Sequence, residues 1–238
     1  MARRRGSVGS RVKGFDPISE MAGRLGVEAP VKERAKEIFR EVEDAKAWPR
    51  GPPLLGDRSK VTLYAAACLY VACRNACSPR TLKELAAAAC PSAAAGAAIS
   101  RVEIAKMAMG IRMRLRDEGP GQAPGVGVLS ASSYLRRFGA RLGLGERGMA
   151  AAEEAARRLE QSGLDVRHNA ESVASGIIYM AAEGAGFCVT YKGVAAAVGV
   201  TGATVSAVCR KLRPHAQMLF GYSVPATIAA CCVRPLRV

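Results

Sequence analysis

Lys83 and Lys192 each follow a threonine by two residues, in "TLKEL" and "TYKGV". Both lysines stand just after a threonine of the kind that caps a helix. Their common setting suggests a common use, in contact with phosphate or with a partner. The second of them begins the stretch "KGVAAAVGVTGATVSAVCRKL" (192–212). Ala195 and Gly199 stand where a tight turn between two helices needs a small residue and one free to take positive φ. The pattern fits a helix-turn-helix that meets DNA and fits equally two packed helices with a basic end. The local sequence leaves both readings open.

Charge weighs on that choice. Lys and Arg outnumber Asp and Glu 35 to 20 over 238 residues, a formal charge of +15 and an isoelectric point near 9.9. This balance favours a polyanionic partner, nucleic acid ahead of an anionic membrane surface, over a merely basic soluble protein. Eight cysteines lie mostly in apolar helical context, where cysteine packs as a small hydrophobe, and a reducing compartment is expected. With no CxxC pair and only His168 and His215 as histidines, no zinc site and no cofactor are expected. The start, "MARRRGSVGSRVKG", lacks the apolar core of a secretory signal and reads as a flexible basic arm over 1–14. The longest apolar run, "VTLYAAACLYVAC" (61–73), is shorter than the roughly 20 residues a membrane span needs, so no membrane partner is expected. No phosphate-cradling glycine loop, nucleophile elbow or HExxH is present, and the chain is not expected to be an enzyme.

The elements that must position these lysines come from a duplication. Residues 62–90 lie over 171–199 without a gap at an offset of 109, with nine identities that include Ala65/Ala174, Tyr70/Tyr179, Thr81/Thr190 and Lys83/Lys192. Upstream, "RLGV" at 24–27 pairs with "RLGL" at 141–144, the loop 47–60 taking up the difference. A repeat of this length fits a duplicated domain rather than a solenoid. We expect an all-α fold of two tandem five-helix domains, 15–118 and 129–214, joined by the Gly/Pro-rich linker 119–128 and followed by a tail, 215–238. In the first copy, Asp16-Pro17 reads as a helix start, 31–46 as an amphipathic helix and 61–73 as a buried central helix. Thr81 with Glu84 forms a capping-box pattern, and 101–118 is the fifth helix. The second copy repeats this near 130–143, 147–162, 171–183, 190–198 and 202–212. Tyr70 and Tyr179, on the central helices, are expected in the core rather than as base-stacking platforms.

The segments "AAACLYVACRNACSPRTLKEL" and "SVASGIIYMAAEGAGFCVTYKGVAAAVGV" resemble the two cyclin-like repeats of the transcription factor IIB family, and the resemblance spans about residues 17–214. It implies a nuclear initiation factor that binds the TATA-binding protein through its first repeat and promoter double-stranded DNA through both. RNA polymerase II, which the family recruits through an amino-terminal zinc ribbon, is a weaker expectation, since neither the cysteine pairs nor the length for one precede residue 17. A specialised or competitor form of the factor fits the same departure. The residues expected at the DNA or partner surface are Arg80, Lys83, Arg101 and Lys106 of the first copy, and Lys192, Ala203, Thr204, Ser206, Arg210 and Lys211 of the second. Ala203 and Ser206 fall where some members read bases with a valine and an arginine. Alanine can touch a thymine methyl, but serine cannot make the bidentate pair to guanine, so weak or absent base readout is expected. Arg210, Lys211 and Lys192 remain able to reach phosphate. The residues 90–100 exceed the family's tight turn and leave the directions of Arg101 and Lys106 open. The alternative reading is a cyclin-type regulatory module that binds a protein kinase.

Overall fold

The structure is a computed structural model that describes residues 6–49, 58–90, 99–117 and 130–221, with side chains over 15–49, 58–90, 99–114 and 130–221. Every regular element among these residues is a helix, and the chain divides into two compact units, Met1–Val128 and Leu129–Val238. The expected linker, residues 50–57 and 91–98 of the first-copy loops, and the tail beyond 221 lie outside the described residues.

The first unit holds α1 (Gly6–Arg24), α2 (Ala29–Asp44), α3 (Arg58–Asn75), α4 (Leu82–Ala89) and α5 (Arg101–Asp117). On α2 the buried residues Val31, Ala35, Ile38, Phe39 and Val42 recur at three and four, which turns one stripe inward and leaves the charges outside. Helix α3 has no polar face to offer solvent. Leu63 to Leu69 and Val71 to Cys73 are all buried, and α1, α2, α4 and α5 pack around it. Trp48 seals one end of this core, stacked on Tyr64 at 4.3 Å and edge-on to Phe39 at 4.9 Å. Its indole N–H donates to Glu43 at 2.8 Å, which satisfies the one polar group of the side chain.

Two expectations about the first helix are corrected. Residues 6–14 belong to α1 rather than to a flexible arm, and Asp16 is no N-cap, because the helix runs through Pro17. An interior proline forfeits a backbone hydrogen bond. Packing on both sides of it offsets that loss: Ile18, Met21 and Ala22 are buried, and Phe15, ahead of the proline, meets Phe39 at 6.3 Å with the Arg40 guanidinium 4.6 Å from its ring centre.

The second unit repeats the plan with α6 (Ser132–Arg141), α7 (Glu146–Ser162), α8 (Ala170–Gly184), α9 (Tyr191–Val198) and α10 (Gly202–Leu212). Central α8 is buried from Ser172 to Glu183. The unit continues past 214 through a 3₁₀ turn (Arg213–His215) and α11 (Ala216–Phe220), whose Ala216 and Leu219 enter the core. The first of the residues expected as tail are therefore folded.

The duplication is visible in backbone detail. Both central helices end in the same left-handed cap. Ser78 N–H donates to the Cys73 carbonyl at 3.0 Å and Phe187 N–H to that of Ala182 at 2.9 Å, with Cys77 (φ 52°) and Gly186 (φ 81°) at the left-handed position.

Candidate nucleic-acid interface

Helices α4 and α9 open alike. Thr81 Oγ1 accepts from Glu84 N–H at 3.2 Å while Glu84 accepts from Thr81 N–H at 2.7 Å, a complete capping box. Thr190 Oγ1 accepts from Gly193 N–H at 3.0 Å. Lys83 and Lys192 are thereby both the second residue of a capped helix, and both are exposed.

Between α9 and α10 the chain turns at Gly199, in the left-handed region at φ 94°, whose N–H donates to the Ala195 carbonyl at 2.8 Å. The axis bends by 111° between Tyr191–Val198 and Gly202–Phe220, within the roughly 90–120° range of a helix-turn-helix. Thr201 caps α10 by accepting from Thr204 N–H at 3.1 Å, and the two threonine hydroxyls lie 2.8 Å apart. Val205, Val208, Cys209 and Leu212 face the core, so Ala203 and Arg210 stand on the exposed side, with Thr204 and Ser206 half-buried. A Cβ placed on Gly202 would lie 3.7 Å from the Lys192 nitrogen and the Tyr191 carbonyl oxygen. The amino-terminal ends of α9 and α10 therefore converge, and the partial positive charges of both dipoles add to Lys192.

A buried polar cluster fixes this geometry. Glu183, at the end of α8 and 5% exposed at its side chain, accepts from Arg213 Nη2 at 3.2 and 3.1 Å, one bond to each oxygen. Arg213 also bonds Tyr191, whose ring packs 4.4 Å from that of Tyr179. Burial, then the nearby Glu183 carboxylate, pushes the Tyr179 phenol above its ordinary range, and it stays neutral. The cluster joins α8, the first residue of α9 and the residue after α10. No motif announces it, although a charged residue inside the apolar run of α8 is a signal that can be read. Behind it, α10 lies so close to α8 that a Cβ on Gly176 would meet Val208 Cγ1 at 2.4 Å.

The ten candidate residues divide by direction. Lys83, Arg101, Lys106, Lys192, Ala203, Arg210 and Lys211 are exposed. Arg80 is turned inward: it is 9% exposed, and its guanidinium donates to the carbonyls of Gly26 at 3.2 Å and Leu25 at 3.4 Å, tying the α1–α2 turn to the approach to α4. Lys211 donates to the Val166 carbonyl at 2.9 Å, which holds the end of α10 against the loop before α8. Thr204 is occupied with the cap.

Electrostatics separates the faces of the second unit. Its α7 face is laced with ion pairs, Arg136 to Glu153 at 3.0 Å, Arg157 to Glu154 at 2.5 Å and Arg158 to Glu154 at 2.7 Å, and the two arginines draw the Glu154 carboxyl down to about 2. No Asp or Glu follows Glu183 in the sequence, and Lys192 and Arg210 have no ion-pair partner among the described residues. No group of three His, Cys, Asp or Glu placed to hold a metal occurs among the described residues.

Four helices around a central apolar one, twice over, with a helix-turn-helix in the second unit, define a protein of tandem cyclin-like repeats. The family model described as "Transcription factor TFIIB repeat" matches residues 9–90. Transcription initiation factor IIB of Oryza sativa subsp. japonica is 35% identical over 220 residues, covering 92% of this chain and 64% of the relative. Its namesake in Glycine max is 33% identical over 204 residues, covering 86% and 59%, and that of Drosophila melanogaster 28% over 211 residues, covering 89% and 60%. The chain belongs, through this two-repeat core, to the transcription factor IIB family. It spans less than two thirds of the length of these relatives.

Proposed function

We propose that the chain acts in transcription initiation in the nucleus, without catalysis, docking on promoter duplex DNA together with the TATA-binding protein. The observation that carries this reading is the exposed, un-neutralised pair Lys192 and Arg210 on the helix-turn-helix, with Lys83 at the duplicated position of the first unit. The kinase-binding alternative is not favoured, since the relatives are initiation factors and a kinase surface has no need of this excess of positive charge. Arg80 is absent from the docking set because its guanidinium is buried, and Lys211, although exposed, because its ammonium is engaged by the Val166 carbonyl. Lys83, Arg101, Lys106, Lys192 and Arg210 remain. The helix positions the protein without specifying sequence: Ala203 is too short for a hydrogen bond, and neither Thr204 nor Ser206 can form a bidentate pair to guanine.

The test is binding of the chain to a preformed complex of TATA-binding protein and a TATA duplex as a function of salt. About five phosphate contacts predict that log affinity falls with log salt at a slope near −4.5, a loss of roughly 500-fold between about 50 and 200 mM. Lys192→Ala or Arg210→Ala lowers the slope by about one while weakening all duplexes alike. A slope near zero, or one that both substitutions leave untouched, overturns the docking role.

A further inference from the structure

The two units match residue for residue at the end of their second helix. The inward residues of α2, Val31, Ala35, Ile38, Phe39 and Val42, fall at one constant offset on Gly148, Ala152, Ala155, Ala156 and Leu159 of α7, and all ten are buried. The same offset carries Lys46 (φ 52°) onto Gly163 (φ 64°), the left-handed residue that follows each helix. It carries Glu43 onto Glu160 and Trp48 onto Asp165. In the register of Tyr70 with Tyr179, α3 over α8 carries Tyr64 onto Val173.

The space enclosed by these residues is filled in one unit only. In the first, the Trp48 ring occupies it, stacked on Tyr64 and edge-on to Phe39, with the indole N–H donated to Glu43 Oε2 at 2.8 Å. In the second, the three rings are replaced by Asp165, Val173 and Ala156. Asp165 does not take the place of Trp48: its carboxylate turns outward to the Arg167 N–H at 2.9 Å and Nε at 3.3 Å, and its side chain is 73% exposed. Among the described residues this leaves a cavity of about 350 Å³, walled by Ala156, Leu159, Val166 and Val173 with Glu160 at its edge. That volume falls at the lower end of ligand sites, about 300–1,000 Å³, and suits one ring system. The second unit has therefore lost the indole and kept the carboxylate that receives its N–H. Glu160 accepts from Ser130 Oγ through Oε1, whereas the first unit uses Oε2 for the indole.

The first unit thus displays the group that the second is shaped to take: a flat apolar ring with one N–H donor at its rim. Trp48 is the one tryptophan among the 238 residues, and at 2% exposure it is committed to its own core. Neither another part of the sequence nor a second copy can then present an indole. We propose that the cavity beside Glu160 is a binding site for a tryptophan side chain of a partner protein, its ring against Ala156 and Val173 and its N–H donated to Glu160. One copy of the duplicated domain completes its core from its own loop, and the other completes it from a partner. The proposal is independent of DNA docking, because its test contains no nucleic acid.

The probe is N-acetyltryptophanamide, which carries the side chain on a neutral peptide unit, added to the full chain and followed by saturation-transfer NMR. Its analogue methylated on the ring nitrogen and free indole are run beside it. We expect saturable binding of N-acetyltryptophanamide, weakened about tenfold by ring methylation and about tenfold by Glu160→Ala, with no further loss when the two are combined. Ala156→Phe and Asp165→Trp return to the second unit groups that fill the first, and each should abolish binding while circular dichroism matches the parent chain. The methylated analogue needs no substitution, so a variant that fails to fold leaves the test intact. Absence of binding, equal binding of the methylated analogue, or binding that survives both cavity-filling substitutions overturns the proposal. So does binding of free indole with exclusion of N-acetyltryptophanamide, which would assign the cavity to a small molecule.

Discussion

Arg24, at the end of α1, donates through Nη1 to the main-chain carbonyl of Ala88 at the end of α4, 2.7 Å away. In the second unit Arg141 at the end of α6 does the same for Ala197 of α9, at 3.2 Å. The last carbonyls of a helix lack intrahelical partners, and a guanidinium there meets both the hydrogen-bond need and the negative end of the dipole. Each unit thus ties its first helix to the helix that carries the candidate lysine. Arg24→Ala should lower stability to urea by about 1 kcal/mol, with Arg141→Ala at or below that value because its side chain is more exposed. Unfolding midpoints unchanged by both substitutions would show the two bonds to be incidental.

The left-handed cap after the central helix is glycine in one copy and Cys77 in the other. A residue with a Cβ is disfavoured there by about 1–2 kcal/mol, part of which glycine returns through its freer unfolded chain. Cys77→Gly should therefore stabilise the first unit by about 0.5–1 kcal/mol, and Gly186→Ala should destabilise the second by about 1 kcal/mol. Differential scanning calorimetry of the two variants checks the opposite signs.

The Glu183–Arg213 pair is buried on the carboxylate side, so breaking it strands a charge. Arg213→Met and Glu183→Gln should each cost about 3 kcal/mol, and the double variant less than the sum. Additive losses in a double-mutant cycle would mean that the two groups act separately.

Cysteine reactivity follows burial. Burial, with smaller charge effects, pushes the Cys209 thiol up to about 12, and Cys68 is raised further by the same cause. Cys77 and Cys188 are exposed. Iodoacetamide at neutral pH followed by peptide mapping should find Cys77 and Cys188 modified in the native protein, and Cys68 and Cys209 modified only as it unfolds. Rapid native labelling of Cys209 would contradict the packing of α10 on α8.

Base readout gives a gain-of-function test. Ser206→Arg should create a preference for guanine on the face of the duplex that α10 meets, worth about 1 kcal/mol or more in competition binding, where the parent chain shows well under that. A strong preference in the parent chain would mean that another element lies in the groove.

Much of this was legible because the chain contains itself twice. Thr81 over Thr190 and Lys83 over Lys192 give the register of the second copy, and the structure places both lysines at the same exposed turn. The spacing of Ala35, Ile38, Phe39 and Val42 on α2 is likewise enough to say which side faces inward. Arg80 and Lys211 were not legible in this way. Each is one cation in a basic stretch, and what decides its direction is a carbonyl distant in sequence, at Gly26 and at Val166, that no local pattern reveals. The passage of α1 through Pro17 was hidden for a related reason: local propensity argues for a start, and only the packing of Phe15 against Phe39 argues against it. The outward turn of Met109 and Met113 on α5 was hidden by composition, since methionine reads as core by its type alone.

The approach of Gly176 to Val208 leaves no clearance between α8 and α10. A helix seated on a rail of that kind cannot slide or tilt without displacing the central helix and, with it, the packing of the unit. Little conformational freedom is then left to lose on binding, and little adaptability is left to gain. In the docking on DNA proposed above, a duplex that departs from the shape this unit already presents has to do the bending itself, so tolerance of sequence at the base edges would coexist with intolerance of stiff or misshapen DNA.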